Sequence, residues 1–249
     1  MTEDPTGWSS RLDNPVLVQW EYASEERLRT RNAIYQQFLA EGAQDAEEMT
    51  FAAVAEVKPG RVLDIGCGAG ELAERVKREL GADVVAADLS PRMVELARER
   101  GLDAKRADIE DLPFPDGDFD CVVAAWVLYH TPDRDRAIRE IARVLRPGGR
   151  LVAATIAEDN LAEVWELLGA SWRREITFDR ENVAAQLEPY FERVERRDAN
   201  ATVVFPTSDA IRVFVAASMT RAHLSGKVPE IAEPFAARYR HTVFVADKA

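Results

Sequence analysis

The chain has 249 residues, 47% of them hydrophobic, and 32 Lys+Arg against 44 Asp+Glu give it a formal net charge of −12 at pH 7. That length and apolar content suffice for one large α/β domain or two small ones and exclude general disorder, while the net negative field argues against nucleic acid as the main partner. Apolar runs such as Cys121 to Tyr129 fall far short of the ~20 residues of a membrane span, the start Met1-Thr2-Glu3-Asp4 is acidic, and two cysteines with three histidines make a structural metal site implausible; a cytoplasmic protein with no membrane span and no metal is expected.

No repeat, low-complexity stretch or Gly/Ser-rich linker divides the chain, so it reads as one domain with additions. Residues 24–40 carry a helical stripe of Leu28, Tyr35, Phe38 and Leu39, and a second helix is expected over 43–57; residues 1–58 together form an N-terminal helical cap. From Arg61 short apolar strands alternate with helices: strand 61–65, helix 71–80, strand 83–88, helix 91–100, strands 104–107 and 120–126, helix 134–146, strand 150–156. Such alternation implies a doubly wound, mostly parallel sheet with helices on both faces. Ser90-Pro91 supplies an N-cap oxygen and a first-turn proline, Gly81 ends the preceding helix, and Pro147-Gly148-Gly149 is read as the stop of the helix before it. Beyond Ala157 the pattern weakens. Helices over Asp159 to Gly169, 181–189 and Ser208 to Thr220 are expected, with strands over 191–197, Thr202 to Phe205 and 242–246.

The richest segment is Val62-Leu63-Asp64-Ile65-Gly66-Cys67-Gly68-Ala69-Gly70, a strand entering three alternating glycines. Glycines there let the backbone turn sharply and approach a ligand closely, although spacing alone does not separate such a cradle from an ordinary loop. A dinucleotide-binding fingerprint would place its third glycine at position 71, which is Glu71, and a carboxylate at a helix N-terminus repels a pyrophosphate. The second strand, Val84-Val85-Ala86-Ala87-Asp88, ends in a carboxylate 22 residues beyond Gly66. Neighbouring strand ends meet at one edge of a doubly wound sheet, so Asp88 suits ribose hydroxyls; its alternative role is to precede the Leu89-Ser90-Pro91 cap.

With Asp88-Leu89-Ser90, the run Ala107-Asp108-Ile109-Glu110-Asp111-Leu112-Pro113-Phe114-Pro115-Asp116-Gly117-Asp118-Phe119-Asp120 and the run Ala142-Arg143-Val144-Leu145-Arg146-Pro147-Gly148-Gly149, the chain resembles the class I S-adenosylmethionine-dependent methyltransferases, in particular the ubiquinone/menaquinone-biosynthesis branch. The resemblance is continuous over about residues 60–156 and only one of layout elsewhere. It implies a Rossmann-like seven-stranded sheet with an antiparallel terminal strand, a cofactor core at 60–156, and a C-terminal half at 157–249 with a lid insertion at about 199–239. It also implies S-adenosylmethionine as cofactor. Asp64, Gly66, Cys67, Gly68 and Ala69 would line its methionine part and ribose, Asp88 would hold the ribose hydroxyls, and Leu89, Met93, Asp108 and Ile109 would surround the adenine. Ala125 would offer backbone to the cofactor.

The methyl acceptor is less legible. The segment Ala124-Ala125-Trp126-Val127-Leu128-Tyr129-His130 lacks the Asn/Asp-Pro-Pro-aromatic motif of amino-methylating relatives that act on nucleic acids and glutamine, and two cysteines are too few for a metalloid acceptor. A small-molecule acceptor is expected, with a protein or RNA target or a silent cofactor-binding module as alternatives. His130, just past the fourth strand, is the candidate general base, against the plainer reading that it bonds a backbone carbonyl. Trp8, Trp20, Tyr22 and Trp126 are candidate walls for an apolar acceptor, Tyr22 and Arg31 candidate partners of the cofactor carboxylate, and His223 and His241 are expected at the surface.

Overall fold

A computed structural model describes residues 12–171 and 177–249. Three helices open the described chain: α1 (Pro15–Glu21), α2 (Glu26–Phe38) and α3 (Ala46–Ala55). The alternating core follows as β1 (Arg61–Ile65), α4 (Glu71–Leu80), β2 (Asp83–Asp88), α5 (Pro91–Glu99), β3 (Asp103–Arg106), β4 (Phe119–Ala125), α6 (Arg134–Val144) and β5 (Leu145–Ile156). The remainder is α7 (Ala162–Leu167), α8 (Val183–Leu187), β6 (Arg193–Phe205), α9 (Ser208–Ala216) and β7 (Phe235–Asp247).

The strands form one seven-stranded sheet in the order β3-β2-β1-β4-β5-β7-β6. The first five are parallel, and β7 runs antiparallel to both its neighbours. Strand residues alternate between two apolar layers. Val62, Val84 and Ala86 pack with α3, α4 and α5 on one face; Leu63, Val85 and Ala87 pack with α6 and α8 on the other. The chain order reverses between β1 and β4, so helices leave opposite faces there and a crevice opens at the strands' carboxyl ends.

The helix punctuation works as the sequence suggests at two points. Ser90 accepts the Met93 N–H ahead of α5, and Gly70 and Gly81 hold left-handed conformations at the two ends of α4. Three expectations are corrected. Helix α6 ends at Val144, and Pro147-Gly148-Gly149 lies inside β5 instead of stopping the helix. The two short strands at 191–197 and 202–205 are one strand, β6, paired with β7 from Arg193↔Asp247 to Phe205↔Phe235. Both ends of the expected 199–239 lid are therefore sheet, leaving α9 and a short turn at Ala222–Lys227 outside it. The polar Asp198 and Asn200 look like breakers, yet both are satisfied within the strand by Arg180, with Thr242 also donating to Asp198. Helix α1, capped by the Asn14 side chain and begun by Pro15, has no counterpart in the sequence reading.

Candidate active site

A cavity of about 580 Å³ opens at the carboxyl ends of β1, β2 and β4. Its floor is the glycine turn. Gly66 and Gly68 have φ of +72° and +55°, and a Cβ on Gly66 would lie 2.4 Å from Cγ2 of Val127, just past β4. Only a residue without a side chain lets the turn close onto that wall.

Two carboxylates face the turn. Asp88, at the end of β2, accepts the Gly68 N–H at 3.0 Å and the Ser90 N–H at 2.8 Å, so it shapes the turn from outside while lining the cavity. Burial pushes its pKa up to about 6 in spite of those donors. Asp64, on β1, is 4% exposed and, among the described residues, receives no hydrogen bond. Burial, then the negative charges of Asp88 and Glu71, push it up to about 7. Burial, then the charges of Asp64, Asp88 and Glu71, hold the Cys67 thiol well above its ordinary range, leaving it protonated rather than nucleophilic. Glu71 at the start of α4 is paired with Arg100 at 2.7 Å. This end of the cavity is anionic and suits a cation or a ring of hydroxyls better than a pyrophosphate.

Along the same wall lie Ala69, Leu89, Asp108, Ile109 and Ala125. Leu89 is half exposed at the rim and Ile109 is buried, while Asp108 caps its own turn by accepting the Glu110 N–H at 2.9 Å. Ten of the eleven residues expected around the cofactor thus line one cavity. Met93 does not: it is fully buried behind Ala69, Leu96, Tyr22 and Leu28 and supports the wall from below.

His130 is committed on both ring nitrogens. The Leu12 carbonyl, 2.9 Å from Nδ1, can only accept, so Nδ1 carries the proton and Nε2 accepts from the Tyr22 hydroxyl at 2.9 Å. Burial lowers the imidazole to about 4 and raises the Tyr22 phenol to about 12, so both are neutral at pH 7. The pair pins the N-terminal segment over the cavity. That segment is tied down further by Glu21, whose fully buried carboxylate receives Arg27 and Arg31 of α2. Those arginines also donate to the carbonyls of Ala216, Ala217 and Ser218, which end α9. Arg31 lines the cavity as expected, but its charge is already met by Glu21.

Of the expected aromatic walls, Tyr22 and Trp126 line the cavity, Trp20 is 54% exposed, and Trp8 lies outside the described residues. His223 is exposed, whereas His241 is 4% exposed and lines the cavity with Tyr35 and Tyr239. The surface expectation for His241 is corrected. The period-two run Ala237, Tyr239, His241, Val243, with Arg238, Arg240 and Thr242 between them, carries the inward face, and it lies mostly ahead of the 242–246 strand expected from sequence.

The methyltransferase-domain family matches residues 63–153. Over 126 residues the chain is 40% identical to methyltransferase GfsG of Streptomyces halstedii, covering 47% of this chain and 45% of that protein. Over 119 residues it is 41% identical to the ubiquinone biosynthesis O-methyltransferase of Xanthomonas oryzae pv. oryzae, covering 45% and 49%. The chain thus spans about half the length of the curated relatives it matches. In fold it is similar to the [4+2]-cyclase SpnF, with a TM-score of 0.61 and 22% identity over 93% of this chain and 95% of that one.

Proposed function

We propose, for a chain that carries a class I methyltransferase domain at residues 63–153, that it binds S-adenosylmethionine and transfers the methyl group to a small molecule. The observation that carries this reading is one cavity in which two carboxylates, the buried Asp64 and the half-buried Asp88, face a glycine turn at one end and aromatic side chains stand at the other. The fit is chemical: among the described residues Asp64 receives no donor, and it is pushed toward protonation, a condition that a ligand cation relieves. Asp88 has lone pairs beyond the two it gives to Gly68 and Ser90 and can meet ribose hydroxyls. Leu89 and Ile109 offer apolar surface to an adenine, with Asp108 as acceptor for its amino group.

Bound there, S-adenosylmethionine supplies a methyl group on a sulfonium that leaves by direct displacement. The chain's own contribution is alignment and exclusion of water. Tyr22, held by His130, and Arg31, held by Glu21, cover the cavity from the N-terminal side. The cavity of about 580 Å³ beneath them is of the size that holds small ligands, which supports a small-molecule acceptor over a polymer. Because both nitrogens of His130 are engaged, its part is to position the cover rather than to act as a general base.

Calorimetric titration with S-adenosylmethionine, S-adenosylhomocysteine and NAD tests the cofactor. The two S-adenosyl compounds should bind and NAD should not; the reverse refutes the reading. Incubation of a metabolite extract with methyl-labelled cofactor then identifies the acceptor. Labelled polypeptide or RNA would overturn the small-molecule assignment, and cofactor binding without transfer to any extract would favour a silent binding module.

A further inference from the structure

Opposite the carboxylates, the cavity ends in four rings that belong to three separate elements. Trp126 follows β4, Tyr35 lies on α2, and Tyr239 and His241 project from the same face of β7. The His241 ring stacks on Tyr239 with centroids 4.0 Å apart and planes 8° apart, and the Tyr35 ring stands edge-on to it at 5.3 Å. Trp126 has φ +55°, an uncommon conformation for a bulky residue, and is held in it by its N–H bond to the Ala154 carbonyl at 2.8 Å. That geometry aims its indole N–H at Nδ1 of His241, 3.1 Å away.

An indole nitrogen only donates, so Nδ1 of His241 must accept and the neutral ring carries its proton on Nε2. Burial keeps the ring neutral, with its pKa lowered to about 3. Nε2 is buried and has no partner among the described residues. A buried donor left unmet in an aromatic box is an uncommon arrangement in a folded protein. Nε2 has almost no surface open to the cavity, so an acceptor reaches it only when a bound ligand displaces a neighbouring ring.

We propose that the Nε2–H of His241, set by Trp126, anchors an oxygen of a flat, ring-bearing methyl acceptor, whose ring lies among Tyr35, Trp126 and Tyr239. This deepens the methyltransferase reading and rests on it for the identity of the reaction. Four nearby rings favour a planar partner. A fixed donor favours a carbonyl, hydroxyl or phenolate oxygen and disfavours an ammonium, which would bring its own donors against the imidazole N–H. His241 is thus the histidine that touches substrate, and His130 the one that holds the cover.

The test uses the full chain labelled with ¹⁵N-histidine. Without ligand, long-range ¹⁵N–¹H spectra should show His241 neutral and protonated at Nε2, and Trp126→Phe should release that preference. A proton on Nδ1 in the unsubstituted protein overturns the proposal, and this readout stands even where a variant fails to fold. With S-adenosylhomocysteine saturating, 2-naphthol should bind more tightly than the matched cation 2-naphthylmethylamine and shift the His241 Nε2 resonance. His241→Phe, which keeps a stacked ring and removes the donor, should weaken 2-naphthol about tenfold, the effect expected for one net hydrogen bond. His241→Gln should recover part of that loss. In the same variants S-adenosylhomocysteine should bind within about twofold of the unsubstituted protein, since His241 is assigned no cofactor contact. Absence of S-adenosylhomocysteine binding in the unsubstituted protein would instead sink the methyltransferase reading. Normal cofactor binding with 2-naphthol unbound, or bound equally to His241→Phe, would sink the anchor alone.

Discussion

Replacing Asp64 by Asn should stabilise the ligand-free protein, and by an amount that depends on pH. In the folded chain Asp64 has its carboxyl raised from 3.8 to about 7, first by burial and then by Asp88 and Glu71. A raised folded value means that the native state binds the proton more tightly than the unfolded chain. Well below the unfolded value of 3.8 both states are protonated and there is no penalty. As pH climbs from there to 7 the unfolded chain ionises and the folded one resists, so stability falls, levelling off above pH 7. At 1.36 kcal/mol per pKa unit the full penalty is roughly 4 kcal/mol at pH 8 and less than 2 kcal/mol at pH 5. Asn has nearly the same shape and no charge, so Asp64→Asn should escape it. Urea unfolding of both proteins at the two pH values, without cofactor, reads the effect directly. A substituted protein no more stable than the parent at pH 8, or more stable by the same amount at both values, would show that Asp64 is not a strained carboxylate.

Three further outcomes follow from contacts in the cover and the glycine turn. His130→Gln should lower turnover per bound cofactor less than about tenfold, because both imidazole nitrogens already serve Leu12 and Tyr22; a fall of roughly 10²–10⁴ would restore a general base. Gly66→Ala should destabilise by more than about 2 kcal/mol in a denaturant melt, since the new methyl would lie 2.4 Å from Val127 at a φ of +72°; an unchanged melt would mean that the turn can shift freely. Glu21→Gln should cost about 3–5 kcal/mol by leaving Arg27 and Arg31 partly buried without their counter-charge, and a cost under about 1 kcal/mol would show that the pair contributes little.

Legibility followed the range of the interactions involved. From Arg61 to Val144 each strand and helix is specified by neighbours in sequence: apolar pairs in Val62-Leu63 and Val84-Val85, a cap at Ser90, glycines where φ is positive. The strand ends then meet by topology, and the residues read as one ligand site do line one cavity, with Met93 the exception. Met93, placed beside the adenine by the resemblance alone, packs instead behind Ala69 and Leu96, because a motif position does not say which side of that wall a side chain takes. β6 failed because its central residues Asp198 and Asn200 are stabilised by Arg180, 18 and 20 positions away, and by the pairing with β7. The aromatic box was hidden for the same reason. Its four rings come from positions 35, 126, 239 and 241, and only the sheet brings them together.

The two ends of the cavity make different demands on the charge of a bound S-adenosylmethionine, and this decides which part of it Asp64 can face on the proposed reading. A carboxylate beside the sulfonium would stabilise the ground state, whose positive charge is spent as the methyl departs, and so would raise the barrier. A carboxylate beside the methionine ammonium carries no such cost, because that charge is the same before and after transfer. A site that catalyses transfer should therefore aim Asp64 at the ammonium and leave the sulfonium near the uncharged rings. Asp64→Asn should then weaken S-adenosylmethionine and S-adenosylhomocysteine alike, each by roughly 10- to 150-fold at pH 8, the range of a hydrogen bond to a charged group. The loss should shrink toward pH 5, where the unsubstituted Asp64 is itself largely protonated. Calorimetric titration of both ligands with both proteins reads all four affinities. A loss confined to S-adenosylmethionine would place Asp64 against the sulfonium and reverse the assignment.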